Sequence, residues 1–148
     1  MEWFEDLELG KVERFGQYAV TREEVLDFAR KFDPQPFHLD DAAAAQTHFG
    51  RLAASGWHTS AMTMAMIVAH QDECGHQGLG SPGIDELRFL KPVYPGDKLR
   101  VESEVLEKRQ SQSKPHMGSY RSRIELINQD GAVVVRFVAI DLIRVRGN

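Results

Sequence analysis

The segment 56–74 constrains the fold most, because it has the length of a helix but carries no charged side chain before Asp72. A helix that is apolar nearly all round its axis is normally buried. Gly56 opens the segment, and a glycine-rich stretch follows Cys74. The predicted apolar face consists of Trp57, Ala61, Met64, Ala65 and Val68. We therefore predict a long helix over 56–74 that the rest of the chain encloses.

The second half of the chain is predicted to form β-strands. From residue 84 onward, apolar and polar side chains alternate as they do in strands with one buried face. The predicted strands are 84–93, 98–110, 119–128 and 132–145, and the turn sequence QDG separates the last two. The last strand is rich in valine and isoleucine, which suits the interior of a sheet. A short strand at 14–20 adds a fifth member.

An antiparallel sheet needs a cover on one face, and the helix over 56–74 is the evident cover. The sequence therefore predicts an α+β fold in which a long central helix is wrapped by an antiparallel five-stranded sheet. Neither an internal repeat nor a linker divides the chain. We predict a single domain over residues 1–148.

Two shorter helices are predicted between the first strand and the long helix. Thr21 and Glu24 have the spacing of a capping box, so a helix is expected to start there. Asp33 precedes a proline, and that helix is expected to end at this point because the residue before a proline avoids the helical region. Either Asp40 or Asp41 is expected to cap a short helix in the alanine run that follows.

The composition is that of an ordinary globular protein. Its 148 residues are 42% hydrophobic and 27% charged, and the net charge is −4. Basic side chains are scattered, so neither nucleic acid nor a membrane is an expected partner. The acidic N-terminal sequence does not resemble a secretory signal, and the single Cys74 cannot form an internal disulfide. These features favour a cytoplasmic location.

The segment 32–41, FDPQPFHLDD, has the strongest chemical signature in the chain. Asp33 and His38 stand on either side of two prolines, whose fixed φ angles prevent an α-helix here. A carboxylate and an imidazole held in a fixed geometry are suited to general acid–base catalysis on a water molecule. Gln35, between the prolines, has an amide that can hold the loop backbone or a neighbouring carboxylate.

The sequence DPQPFH resembles the D-x-N-P-x-H element of the MaoC-like family, which includes the (R)-specific enoyl-CoA hydratases. The order of a preceding helix, an alanine-rich helix and a glycine that opens the long helix is also similar, as are the four late strands. The resemblance covers most of the chain and implies the hotdog fold of that family. Gln35 and Ser55 depart from it, because they stand where the family usually has asparagine and histidine.

The resemblance implies that Asp33 and His38 are catalytic and that the backbone N–H of Gly56 faces the thioester oxygen of the substrate. The other implied substrate-binding residues are Ser55, Gln35 and Trp57. The implied reaction is the hydration of a 2-enoyl thioester of coenzyme A, or the reverse dehydration of a 3-hydroxyacyl thioester. Neither a cofactor nor a metal is expected. The implied assembly is a homodimer or a dimer of dimers with the pocket at the subunit junction.

Two other functions remain open from the sequence alone. One is an acyl-CoA thioesterase of the hotdog class, although such enzymes usually carry a carboxylate on the long helix and this one has none before Asp72. The other is a non-catalytic module that binds acyl-CoA or an acyl carrier. His58 is expected either to pack in the core or to help shape the thioester site. His70, His76 and His116 are expected to be exposed to solvent.

Overall fold

The computed structural model describes residues 1–147 and confirms the α+β fold of hotdog type. Five antiparallel strands form one sheet in the order β1-β3-β4-β5-β2, and a helix of 19 residues packs against it. The elements are β1 (Val12–Ala19), α1 (Arg22–Phe32), α2 (Asp41–Ala45), α3 (Gly56–Cys74), β2 (Gly83–Phe89), β3 (Lys98–Gln110), β4 (Met117–Ile127) and β5 (Val133–Arg144). As predicted, β5 is an interior strand, whereas β2 lies at an edge. Within residues 1–147, no helix is long and apolar enough to cross a membrane.

The helix starts in the first half of the chain agree with the capping patterns in the sequence. Thr21 Oγ1 accepts a hydrogen bond from the Glu24 N–H at 3.2 Å. Of the two candidates for the cap of α2, Asp40 is the one used, because its Oδ2 accepts from the Ala43 N–H at 3.0 Å. The side chain of Asp41 turns elsewhere and forms a salt bridge with Arg22 in α1.

The prediction that α3 is buried nearly all round was wrong. The predicted apolar face is the exposed one, since Trp57 is 61% exposed, Met64 47% and Val68 44%. The buried face consists of His58, Thr59, Met62, Thr63 and Met66. Its threonine hydroxyls donate to carbonyls of the preceding turn, as Thr63 Oγ1 does to Thr59 O at 2.7 Å, so burial leaves them satisfied. Helical periodicity identified the residues that share a face but not the face that the sheet covers.

The core lies between α3 and the inner face of the sheet. Met62 and Met66 of α3 belong to one buried cluster with side chains from α1 and the strands. The buried strand members of this cluster are Leu99, Val101, Ile124, Leu126, Val134, Val135, Phe137 and Ala139. A smaller cluster of Leu7, Tyr120 and Ile143 lies apart from it. Packing of Met62 and Met66 in the larger cluster holds α3 against the sheet.

Candidate active site

Asp33 and His38 lie side by side near the N-terminal end of α3. The prolines prevent an α-helix here, as predicted, but Pro36 opens a single 3-10 turn over Pro36–His38. Proline is tolerated at the first position of a helix because its missing N–H is not needed there. This turn places His38 Nε2 at 3.6 Å from Asp33 Oδ2. The proline segment therefore brings the predicted pair together.

The hydrogen bonds of the buried His38 ring define its tautomer. Nδ1 lies 2.7 Å from the carbonyl oxygen of Ala53. A carbonyl oxygen can only accept, so Nδ1 carries the proton and Nε2 keeps its lone pair in the neutral ring. Phe37 packs edge-on against the ring, with 4.7 Å between the ring centroids. The imidazole is thus held with Nε2 on the side of Asp33.

Ser55 connects Asp33 to α3. Its hydroxyl donates to Asp33 Oδ2 at 2.7 Å and accepts from the Trp57 N–H at 3.2 Å. Ser55 is the N-cap of α3 and is only 1% exposed. These contacts orient the carboxylate and satisfy a donor at the start of the helix. The predicted contact of Ser55 with a substrate stays a prediction.

Gly56 is the first residue of α3, directly after Ser55. The N–H groups of the first helical turn have no acceptor within the helix, and the helix dipole favours a negative charge at this end. The ring of Phe89 covers the glycine so closely that an added Cβ would lie 2.7 Å from ring carbons. A side chain at position 56 would therefore displace Phe89. The predicted interaction of the Gly56 N–H with a thioester oxygen is compatible with this position.

Gln35 and Trp57, the other two residues expected to contact substrate, are exposed. The carbonyl of Gln35 accepts from the His38 N–H at 2.9 Å, so its backbone helps to form the turn. Trp57 meets Phe89 edge-on, with ring centroids 6.2 Å apart. Contacts of either side chain with a substrate stay predictions.

His58 is buried beside α1. Its ring stacks on Phe28 with 4.7 Å between centroids, and its Nε2 lies 3.8 Å from Glu24 Oε1. Glu24 also accepts a hydrogen bond from the Tyr18 hydroxyl. Burial lowers the pKa of His58, and within residues 1–147 its Nδ1 has no hydrogen-bond partner. These contacts agree with the expectation of a core histidine.

Of the three histidines expected to be exposed to solvent, His116 is exposed, but the expectation was wrong for His76, whose side chain is buried, and for His70, which is half-buried. His76 Nδ1 donates to Glu2 Oε2 at 2.6 Å, and its Nε2 accepts from the Tyr120 hydroxyl at 3.1 Å. His70 Nε2 lies 2.7 Å from Glu13 Oε2. The partners of both histidines lie far away along the chain, so no local pattern indicated them.

The groups at the start of α3 are suited to moving protons and stabilising a developing oxyanion. They comprise an imidazole oriented by a backbone carbonyl, a carboxylate oriented by a hydroxyl, and a backbone N–H at a helix N-terminus. Among residues 1–147, no group of three or more His, Cys, Asp or Glu side chains is placed to hold a metal ion.

Comparisons with known proteins connect this site to a family. The family model described as "MaoC like domain" matches residues 7–125. The crystal structure of a MaoC-like dehydratase from Rhodospirillum rubrum is 38% identical, covers 100% of both chains and has a TM-score of 0.90. The R-hydratase PhaJ1 from Pseudomonas aeruginosa is 29% identical, with 99% of this chain and 91% of that chain covered and a TM-score of 0.67. A 3-hydroxybutyryl-CoA dehydratase from Methylorubrum extorquens is 34% identical over 107 residues, which are 71% of this chain and 64% of that protein.

The family match spans the proline segment, the start of α3 and most of the sheet. The similarity to the Rhodospirillum rubrum structure extends over the whole chain. Sequence and structure thus agree on the same relationship, and the chain belongs to the MaoC-like dehydratase family.

Proposed function

We propose that this protein adds water to a 2-enoyl thioester of coenzyme A, giving the (R)-3-hydroxyacyl thioester, and that it catalyses the reverse dehydration. Membership of the MaoC-like family supports hydro-lyase activity. The similarity to an R-hydratase and to a 3-hydroxybutyryl-CoA dehydratase supports the choice of substrate and product. The observation that carries the proposal is the position of His38 Nε2, 3.6 Å from Asp33 Oδ2, with Nδ1 held by the Ala53 carbonyl and Ser55, the N-cap of α3, donating to the same carboxylate oxygen.

In the proposed mechanism, one water molecule is held between the Asp33 carboxylate and His38 Nε2. Nε2 accepts a proton from this water while the water oxygen bonds to C3 of the enoyl group. The π electrons of the double bond move toward C2 and the thioester oxygen. The imidazolium then returns its proton to C2, so His38 is restored and the net change is the addition of water. Asp33 orients the water and stabilises the transient imidazolium.

The thioester oxygen becomes negatively charged during this addition. The backbone N–H of Gly56 donates to it in the proposed complex, and the positive end of the α3 dipole adds to the stabilisation. Ser55 occupies Asp33 Oδ2 by donating a hydrogen bond. This arrangement leaves Oδ1 for the water.

The test is an ultraviolet assay of enoyl loss over a series of trans-2-enoyl-CoA chain lengths, with wild type and Asp33→Asn measured side by side. We expect the wild type to consume at least one chain length and the variant to be slower by orders of magnitude. Chiral analysis of the hydrated product tests the (R) configuration. If the wild type consumes no enoyl-CoA of any length, the proposal is wrong.

Thioester hydrolysis has less support from the structure. The first carboxylate on α3 is Asp72, which is exposed and lies 16 residues after Gly56, roughly 24 Å along the helix. A thiol assay on the same reactions separates the possibilities. Release of free coenzyme A without hydration would indicate a thioesterase, and tight acyl-CoA binding without turnover would indicate a binding module.

The apolar surface beside the site supports a homodimer as the functional form. The exposed face of α3 carries Trp57 and Met64, and the edge strand β2 and its end carry Ile84, Phe89 and Leu90, which are 44%, 49% and 46% exposed. An edge strand also presents unpaired N–H and C=O groups to a further strand. A second copy of the chain placed at this edge covers both features, and a homodimer follows from a two-fold contact of this kind.

Two matched substitutions test the dimer. Leu90 and Leu106 are similarly exposed, at 46% and 44%, but Leu90 follows the edge strand whereas Leu106 lies in the interior strand β3. We expect Leu90→Glu to yield monomers in light scattering after size exclusion and Leu106→Glu to remain dimeric. A monomeric wild type, or equal effects of the two substitutions, would contradict the proposed interface.

A further inference from the structure

A cavity of about 310 Å³ lies between the C-terminal half of α3 and the inner face of the sheet. Its apolar wall includes Phe15, Met64, Ile67 and Phe137. Asp33, His38 and Gly56 do not line it, so it is separate from the reacting groups. Cavities with apolar walls and a few polar groups are typical of small-molecule sites.

Helix geometry connects this cavity to the start of α3. Gly56, Ser60, Met64 and Ile67 follow one another at spacings of four, four and three residues, which places them along one face of a helix. The last two of these residues line the cavity. Met64 is eight residues from Gly56, which corresponds to about 12 Å along the helix axis. A linear chain bound at Gly56 by its thioester needs roughly eight to ten carbon–carbon bonds, each about 1.5 Å long, to reach the cavity.

The sheet side of the cavity is polar, although it belongs to the inner face of the sheet. Ser103, Ser122 and Asp141 come from the adjacent strands β3, β4 and β5 and all line the cavity. In the strand register, Ser122 is paired with Ala139, two residues before Asp141, and Ile124 is paired with Ser103, so the three lie diagonally next to one another. We refer to Ser103, Ser122 and Asp141 as the polar row.

The polar row has hydrogen-bonding capacity that the protein leaves unused. Within residues 1–147, Asp141 has neither a salt bridge nor a hydrogen-bond donor, and burial raises its pKa. Nearby polar side chains are occupied, because Tyr120 donates to His76 and His76 donates to Glu2. A bound molecule that left the polar row without partners would therefore lose affinity.

The charges around the cavity define the chemistry of the missing partner. Glu2 and Glu13 line it together with Asp141, and both Lys11 and His70 are paired with Glu13. A carboxylate at the end of a bound chain would face these acids, while Lys11 and His70 already lie beside Glu13. A plain alkyl end would bury the polar row unpaired. An uncharged hydroxyl can donate to Asp141 and exchange hydrogen bonds with the serines.

On this basis, and resting on the function proposed above, we infer that the polar row selects an acyl thioester of about ten carbons that carries a hydroxyl group near its far end. The apolar wall of the cavity holds the intervening methylene groups. Asp141 and the two serines are then determinants of specificity, remote from the bond that is hydrated.

The inference is tested first by binding, which does not depend on turnover. Isothermal titration compares decanoyl-CoA with the same thioester carrying a hydroxyl on its last carbon. We expect the wild type to bind the hydroxylated thioester about 10- to 100-fold more tightly, in line with one hydrogen bond to a charged or polar buried group. Asp141→Leu is expected to abolish or reverse this preference. Ser122→Ala, a smaller change, is expected to reduce it.

The control is Asp130→Leu, the same substitution in the exposed turn between β4 and β5, which should keep the preference of the wild type. Equal binding of the two thioesters by the wild type, or an unchanged preference in both Asp141→Leu and Ser122→Ala, overturns the inference. The proposed function is judged separately by hydration of trans-2-enoyl-CoA thioesters over the whole series of chain lengths, including crotonyl-CoA, whose short chain does not reach the cavity. Hydration of any of these thioesters without a preference for the hydroxylated chain would refute the inference about the polar row and leave the proposed function standing.

Discussion

At the N-terminal end of α3, His38 lies 3.6 Å from Asp33, and Ser55 donates to the same carboxylate. Beyond its C-terminal end, His76 lies between Glu2, at 2.6 Å, and Tyr120, at 3.1 Å. Both regions therefore combine an acid, an imidazole and a hydroxyl. They differ in how many nitrogens of the imidazole ring are hydrogen-bonded to protein groups.

Both ring nitrogens of His76 are engaged, and the hydrogen bond from His76 lowers the pKa of Glu2. The ring of His38 uses only Nδ1, on the Ala53 carbonyl, and Nε2 retains its lone pair. A general base needs that lone pair within reach of water. Of these two pairs, His38 is the one with a ring nitrogen to which no protein group among residues 1–147 is hydrogen-bonded, so it is the one placed to exchange a proton with a bound water. The remaining predictions test this contrast.

The largest expected effect is the loss of hydration activity on substitution of Asp33 or His38. Asp33→Asn and His38→Ala are each expected to lower the hydration of crotonyl-CoA by about 10²- to 10⁴-fold, the usual contribution of a positioned acid or base. The loss of enoyl absorbance measures the rate. Far-ultraviolet circular dichroism is expected to match that of the wild type. Rates within a few-fold of wild type in both variants would contradict the proposed mechanism.

A smaller effect is expected from Ser55→Ala. The substitution removes the donor to Asp33 Oδ2 and the cap of α3, so we expect kcat to fall by about tenfold with KM little changed, and the free energy of unfolding to fall by about 1 kcal/mol. Steady-state kinetics and urea denaturation measure the two effects. A change confined to KM would mean that Ser55 contacts the substrate instead of orienting Asp33.

His76→Leu tests the region in which both ring nitrogens of the histidine are hydrogen-bonded. It leaves the Glu2 carboxylate and the Tyr120 hydroxyl without their partner, so we expect the free energy of unfolding to fall by about 1–3 kcal/mol. Because this ring has no unused nitrogen, kcat/KM for crotonyl-CoA is expected to stay within about twofold of wild type. A folded variant as inactive as His38→Ala would show that the two pairs do not differ in the way described.

The smallest effect concerns His58, a third buried imidazole that neither pair includes. Its pKa is lowered by burial, so the unfolded chain takes up a proton at this position before the folded chain does as the pH falls below about 6.5. Stability is therefore lost with falling pH in that window, by at most about 1.4 kcal/mol per pH unit for one proton, and the loss levels off below the folded-state pKa.

The variant His58→Gln should show a shallower pH dependence in the same window. Urea denaturation of wild type and variant at matched pH values between 5 and 7 measures the difference between the slopes. Parallel slopes would mean that His58 binds its proton equally well in the folded and unfolded states.

Much of the fold followed from local patterns. The caps at Thr21 and Asp40, the end of α1 before Pro34 and the four late strands depend on neighbouring residues, and they were predictable for that reason. The covered face of α3 was not predictable in this way. The sheet packs against a face with threonines that satisfy themselves within the helix, whereas the more apolar face carrying Trp57 is exposed.

In the candidate site, too, contacts between sequence neighbours could be predicted, whereas contacts between distant residues could not. Asp33 and His38 stand close together in the sequence on a segment with two prolines, so their association could be predicted. The bond from His38 to the Ala53 carbonyl, and with it the tautomer, joins residues 15 apart in the chain. A lone aspartate in a strand of valines and isoleucines was the available signal for Asp141, but its neighbours in the polar row come from other strands.

The sequence by itself determined the order of the elements, the rigid acid–imidazole segment and the glycine at the start of the long helix, because each depends on backbone preferences over a few residues. The tertiary structure alone decided which nitrogen of His38 faces Asp33 and which face of α3 is exposed. It also decided that the two ring nitrogens of His76 are hydrogen-bonded to Glu2 and Tyr120. These outcomes depend on groups from distant parts of the chain, whose meeting is set by packing of the sheet against α3 and not by local preference.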